Sequence, residues 1–170
     1  SRGYTGAAAL SAWGSLRSGA GLVYLAVPEC IYSIEAVKMT EAIVLPLSDY
    51  QGMLSSDAVH EVRDLLAKMD AVLIGPGLGQ SQGTADVLRL VLDEFRGPVV
   101  VDADGINLLS KHKALLRGRR YPTILTPHEG EFRRLEPGFQ ADREESAKYL
   151  AERIKEEINP KEVIINPIDM

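Results

Sequence analysis

Three short stretches hold most of the residues that could do chemistry. They are "IGPGLGQS" at 74–81, "VDADGINLL" at 101–109 and "TPHEGEFRRL" at 126–135. In the first, three glycines fall within five residues. Glycine tolerates positive φ and lets backbone approach a ligand closely. The spacing is neither G-x-G-x-x-G nor a phosphate loop ending in Gly-Lys-Ser/Thr, so a tight strand-to-helix turn explains it as well as ligand contact does. In the second, Asp102 ends an apolar run, where its carboxylate could hold a metal-bound water or accept from a hydroxyl. Asp104 is read as the cap of a short helix over 106–109, and Asn107 could face a ligand from that helix's first turn. In the third, Glu129 and Glu131 fall where a helix begins and suit its dipole. A zinc helix of the H-E-x-x-H kind would need histidine at 132, which is Phe132. His60 and His112 lie on charged surface and read as solvated; His128, at a strand end, is placed in the cleft.

These residues need a scaffold. Apolar runs at 22–27, 42–47, 71–74, 99–102, 123–126 and 162–165 are continuous rather than alternating, as in strands buried on both faces. Amphipathic segments separate them. Residues 55–69 put Val59, Val62, Leu65, Leu66 and Met69 on one stripe. Residues 84–95 do so with Val87, Leu88, Val91, Leu92 and Phe95, and residues 142–158 with Ala147, Leu150, Ala151, Ile154 and Ile158. Strands alternating with helices imply a mostly parallel sheet with helices on both faces. In such sheets ligands bind outside the carboxyl ends of the strands, the edge to which all three stretches belong. The opening helix, "TGAAALSAWGSLRSGAG", is rich in small residues and is expected to be buried in the domain or in a subunit interface. Pro137 and Gly138 mark a turn before the last long helix.

Composition narrows the classes. The chain has 170 residues, enough for one domain, with 45% hydrophobic and 25% charged residues. A net charge of -5 disfavours nucleic acid as partner. Backbone N–H groups at helix ends could still bind an anionic substrate. Cys30 is the single cysteine, which excludes an internal disulfide and fits a reducing, cytoplasmic compartment. No apolar run approaches the roughly 18 residues of a membrane span, and the first residues do not resemble a signal peptide.

Taken together and in order, residues 1–29, "AVLIGPGLGQS", "PVVVDADGINLLS" and "TILTPHEGEFRRL" resemble the ADP- or ATP-dependent NAD(P)H-hydrate dehydratases, with the likeness running to about residue 157. The resemblance implies a ribokinase-like three-layer α/β fold over residues 1–170, forming a single domain incomplete at both ends. It implies an activity, a carbon–oxygen lyase reaction. ADP or ATP, with Mg2+, phosphorylates the added hydroxyl of hydrated NADH or NADPH, and loss of phosphate restores the double bond. It assigns Ala7, Gly77 or Gly79, and His128 to the hydrated cofactor, and it implies a homo-oligomer, commonly a tetramer. With the residue reading above, the expected substrate wall is Ala7, Gly77, Gly79, Asp102, Asn107 and His128. The family's first strand and Gly-Gly-Ser turn, its Lys-Gly nucleotide loop and its catalytic Gly-x-Gly-Asp are not in this sequence. The chain is therefore expected to be part of a longer enzyme, binding hydrate weakly without turning it over. The competing expectations are another ribokinase-like small-molecule kinase, of the thiamine-precursor type, and a truncated, non-catalytic binding module.

Overall fold

A computed structural model describes residues 1–117, 119–138, 143–158 and 163–165. All six apolar runs form strands. They are β1 (Tyr24–Pro28), β2 (Ile43–Leu47), β5 (Val72–Ile74), β6 (Val99–Val101), β7 (Thr123–Leu125) and β8 (Val163–Ile165). Each pairs in parallel with its neighbour, but in two hydrogen-bonded groups rather than one continuous sheet: β1 with β2, and β5-β6-β7-β8 in that order. The register of the larger group is regular, with Ile74 beside Val101 and Val101 beside Leu125. All its strands therefore end at one level, and the loops that follow emerge side by side. Between the two groups in sequence lies a hairpin that the sequence reading did not anticipate, β3 (Asp49–Tyr50) antiparallel to β4 (Met53–Leu54).

The helices are α1 (Thr5–Arg17), α2 (Glu29–Lys38), α3 (Ala58–Leu66), α4 (Gln82–Glu94), α5 (Asp104–Lys111), α6 (Glu129–Leu135) and α7 (Arg143–Ile158), with a 3-10 turn at Lys113–Leu116. α4 forms where the sequence says it should. Ser81 caps it, accepting from the Thr84 N–H while the Thr84 hydroxyl accepts from the Ser81 N–H. Its apolar stripe is buried: Val87, Leu88, Val91 and Leu92 join Val99, Val101, Ile106, Leu109 and Leu125 in the main core. Leu150 and Ile154 of α7 close that core, as the stripe on that helix predicts.

α2 was not foreseen. Of the two places expected to bury α1, the domain itself covers only one side of the helix. Only Ala9 and Ala12 of α1 are buried, while Leu10 is 73% exposed. Small side chains on α1 give a shallow contact with α2, β1 and β2, where Ala9, Ala12, Met39 and Ala42 make a separate small core. No helix among the described residues is long and apolar enough to cross a membrane.

The edge opposite the strand ends is closed by Arg119, which is only 5% exposed. Its guanidinium donates to the carbonyls of Leu92 (3.0 Å), Phe95 (2.9 Å) and Gly97 (2.6 Å) and to the Thr123 hydroxyl (2.8 Å). The Leu92 and Phe95 carbonyls belong to the C-terminal end of α4, which carries partial negative charge. Burial pushes the guanidinium pKa down, and nearby Tyr121 opposes that shift.

Candidate functional site

The loop after β5 is built by glycine. Gly75 has φ +127 and lies so close to the strand-end backbone that a Cβ there would sit 1.8 Å from the Asp102 carbonyl oxygen. The Asp102 N–H donates to the Ile74 carbonyl at 3.1 Å, so β5 and β6 leave the sheet as a pair. Gly77, at φ +63, faces the first turn of α1. A Cβ on it would meet the Tyr4 carbonyl at 2.9 Å and the Ala7 methyl at 3.0 Å. Ala7 and Gly77 are thus neighbours despite their distance in sequence, and the α1 turn forms a wall beside the glycine loop.

Asp104 does not cap α5. No side chain does; the residue before it, Ala103, enters the helix with φ 48 and ψ -119, a conformation L-residues rarely adopt. That kink turns the Asp104 carboxylate away from its own helix and toward the glycine loop. Its Oδ2 accepts from the Gly79 N–H at 2.9 Å and its Oδ1 from the Gln80 amide at 3.0 Å. Asn107, one turn on, places its Nδ2 3.5 Å from the same Oδ1, and its own Oδ1 accepts from Arg134 at 2.9 Å. Asp102, the other carboxylate, accepts from the Thr126 hydroxyl at 2.9 Å, which ties the end of β6 to the end of β7. The reading of Asp102 as a metal-water ligand finds no partner cluster: among the described residues no group of three His, Cys, Asp or Glu could hold a metal.

His128 is the N-cap of α6. Its Nδ1 accepts from the Gly130 N–H at 3.0 Å, so the ring proton is on Nε2, which faces Glu131 Oε1 at 3.2 Å. Glu131 in turn accepts from the His128 N–H at 3.0 Å and is buried, closing a reciprocal cap. Glu131 therefore does more than favour the helix dipole, while Glu129 pairs with Arg133 along the exposed face of α6. Nδ1 is committed to the helix start and Nε2 lies near Glu131, and the exposed part of the ring is what His128 presents to a ligand. Neither His60 nor His112 is buried or capped into the site, as expected of solvated histidines.

The six residues expected to line one cleft are therefore connected along one edge of the sheet. Ala7 touches the Gly77 turn, Gly79 is held by Asp104, Asn107 bridges Asp104 to Arg134 on α6, and Asp102 binds the strand end that leads to His128. Sequence reasoning missed Asp104 as the anchor of the glycine loop, and with it Gln80, Lys111 and Arg134. The spacing Asp104-x-x-Asn107 was visible. Its partners, 24 and 25 residues earlier in the chain, were not.

Comparison with known proteins identifies the family and the fold. The family model described as NAD(P)H-hydrate dehydratase matches residues 1–167. The chain is 41% identical over 158 residues to the bifunctional NAD(P)H-hydrate repair enzyme of Moorella thermoacetica, covering 89% of this chain and 30% of that enzyme. It is 35% identical over 135 residues to the human ATP-dependent (S)-NAD(P)H-hydrate dehydratase, covering 78% of this chain and 37% of the human protein. Among solved structures, a Streptococcus mutans protein superposes with TM-score 0.71 at 27% identity, over 99% of this chain and 56% of that one. The Bacillus subtilis ADP/ATP-dependent NAD(P)H-hydrate dehydratase superposes with TM-score 0.69 at 24% identity, over 99% of this chain and 56% of that one, a likeness of fold. The chain thus spans about a third of the length of these sequence relatives and just over half of the solved structures.

Proposed function

The chain belongs to the NAD(P)H-hydrate dehydratase family, and from that premise we propose that its strand-end cleft binds hydrated NADH or NADPH for nucleotide-dependent dehydration. The observation that carries this reading is the joining of the Ala7 turn, the Gly77–Gly79 loop and the His128 cap at the carboxyl edge of one parallel sheet. The α1 turn and the glycine loop would enclose one side of the ligand with backbone, and the His128 ring would lie against another. ADP or ATP with Mg2+ would supply the phosphoryl group. The sequence includes neither the Lys-Gly loop nor the Gly-x-Gly-Asp that the resemblance would assign to that partner. The contribution of the described residues is the binding and orientation of the hydrate.

Calorimetric titration of the 170-residue chain with hydrated NADPH tests this. Binding without turnover in the presence of ADP or ATP is the expected result, because phosphoryl transfer depends on groups positioned at the moving phosphoryl, and no Gly-x-Gly-Asp is in this sequence. His128→Asn should keep the helix cap, since Asn is a good N-cap, yet weaken binding by about tenfold through loss of the ring, equal to about 1.4 kcal/mol. Absence of hydrate binding, or ordinary enzymatic turnover by the chain alone, would overturn the proposal.

The same proposal includes a homo-oligomer, supported by apolar surface on α1 and α2, where Leu10, Ile34 and Val37 are exposed. Sedimentation at micromolar concentration should give a mass above 18.6 kDa; a clean monomer would exclude it.

A further inference from the structure

Asp104 stands at the centre of a symmetrical arrangement. On one side Gln80 donates its amide N–H to Asp104 and accepts from the Lys111 ammonium at 2.9 Å. On the other, Asn107 turns its amide N–H toward Asp104 and accepts from Arg134 at 2.9 Å. Chemistry fixes the orientation of both amides. A carboxylate can only accept and a cation only donate, so each amide must give its N–H to Asp104 and its oxygen to the cation. Lys111 and Arg134 are thereby held at the two ends of the row Lys111–Gln80–Asp104–Asn107–Arg134, by neutral oxygens. Neither has a carboxylate within ion-pair distance among the described residues.

Other cations nearby are not in this state. Arg133, next in sequence to Arg134, is paired with Glu129, and Lys113 is paired with buried Glu136. An ammonium or guanidinium held by one amide oxygen keeps most of its donors free: two of three N–H groups on Lys111 and four of five on Arg134. Each side chain reaches back to a segment that follows a strand end, Lys111 to Gln80 after β5 and Arg134 to Asn107 after β6. Lys111 reaches the residue that follows the glycine loop, and Arg134 Nη2 stands 4.0 Å from the position of a Cβ on Gly130, beside the His128 ring. In a chain of net charge -5, two cations without a carboxylate partner at the ends of one hydrogen-bonded row have the chemistry to take an anion.

We propose that Lys111 and Arg134 bind the phosphate groups of the dinucleotide, with Asp104 as the residue that positions both through Gln80 and Asn107. This rests on the substrate reading above and extends it to the ligand's charged part. Arg134 would chelate two phosphate oxygens, as its planar fork allows, while Lys111 would act as a point charge.

The test is titration of the 170-residue chain with NADPH, NADH and the phosphate-free dihydronicotinamide riboside, followed by dihydronicotinamide fluorescence. Lys111→Gln and Arg134→Gln should each weaken NADPH and NADH by about tenfold or more, the range for loss of a charge-assisted hydrogen bond, and leave the riboside unchanged. Arg133→Gln should alter none of the three. Unchanged NADPH affinity in both variants, with the wild-type chain binding NADPH and riboside, would overturn this inference and leave the substrate reading intact. Equal weakening of NADPH and the riboside would also overturn it, since the cations would then act only by supporting the loop. A wild-type chain that binds neither NADPH nor the riboside would sink both readings together.

Discussion

Arg119→Ala is expected to lower the unfolding free energy by about 3–4 kcal/mol, the range seen when one side of a buried polar network is removed. The side chain is 5% exposed, and its guanidinium satisfies three carbonyls and one hydroxyl at once. Alanine would strand those acceptors around a cavity. Each buried unsatisfied acceptor costs about 1–3 kcal/mol, reduced where water can enter. The effect spreads because the acceptors come from three places: the end of α4, the Gly97 turn before β6, and the start of β7. Arg119 is the cation that neutralises the negative end of α4 as it meets the sheet. Arg119→Lys should recover part of the stability, since an ammonium keeps the charge but cannot span all four partners. Urea denaturation decides the matter. A drop under about 1 kcal/mol for the alanine variant would show that water replaces the guanidinium and that the network is not structural.

Gly75→Ala should be more damaging, at about 4 kcal/mol or outright failure to fold, the range reached when backbone strain and a steric clash in the core coincide. The backbone sits at φ +127, and an added Cβ would overlap the Asp102 carbonyl oxygen at 1.8 Å, the carbonyl carbon at 2.8 Å and the Gly105 nitrogen at 2.9 Å. All three are main-chain atoms at the end of β6 and the start of α5, so no side-chain rotation relieves the overlap. The β5 and β6 ends would have to part, and the hydrogen bond from Asp102 N–H to the Ile74 carbonyl would go with them. Gly19→Ala is the control. It has φ +98 with nothing within 4 Å of an added Cβ, so it carries the conformational cost alone, roughly 1–3 kcal/mol. Equal destabilisation by the two variants, measured by thermal unfolding, would show that close approach at Gly75 contributes nothing.

Both effects concern packing between segments far apart in sequence, and there the sequence was least informative. What it conveyed well was local. Six runs of Val, Ile and Leu became six strands, but burial on both faces, which asks for apolar residues at consecutive positions, holds along β6 and β7 and not at Ile43 of β2 or Leu73 of β5, which are exposed. The stripes at 84–95 and 142–158 became α4 and α7 because apolar spacing of three and four residues puts one helix face in the core. α2 escaped because it has no such stripe. Ile31 is buried, but Tyr32, Ile34 and Val37 are exposed, and the other buried position is a charged residue, Glu35. The β3–β4 hairpin escaped because its strands have two residues each and its turn is Gln51-Gly52, with φ 52 and 81, where Asn-Gly would have been the stronger signal.

For the site, strand order and polarity were enough to put the glycine loop, the Asp102–Asn107 segment and His128 on one edge, since parallel strands must all end on the same side. That conclusion needed only alternating strands and helices. The sequence could not say which of two carboxylates, two residues apart, holds the loop. Tertiary structure decided it through the Ala103 kink, which aims Asp104 at Gly79 and leaves Asp102 to Thr126. It also decided that His128 spends Nδ1 on its own helix start, with Nε2 near Glu131, and that Lys111 and Arg134 are held by amides and not by carboxylates. The physical reason is one of range. Periodicity records which face of an element avoids water, and so reports burial. A hydrogen bond depends on direction and on a separation of about 3 Å, and those are set only when distant segments have packed.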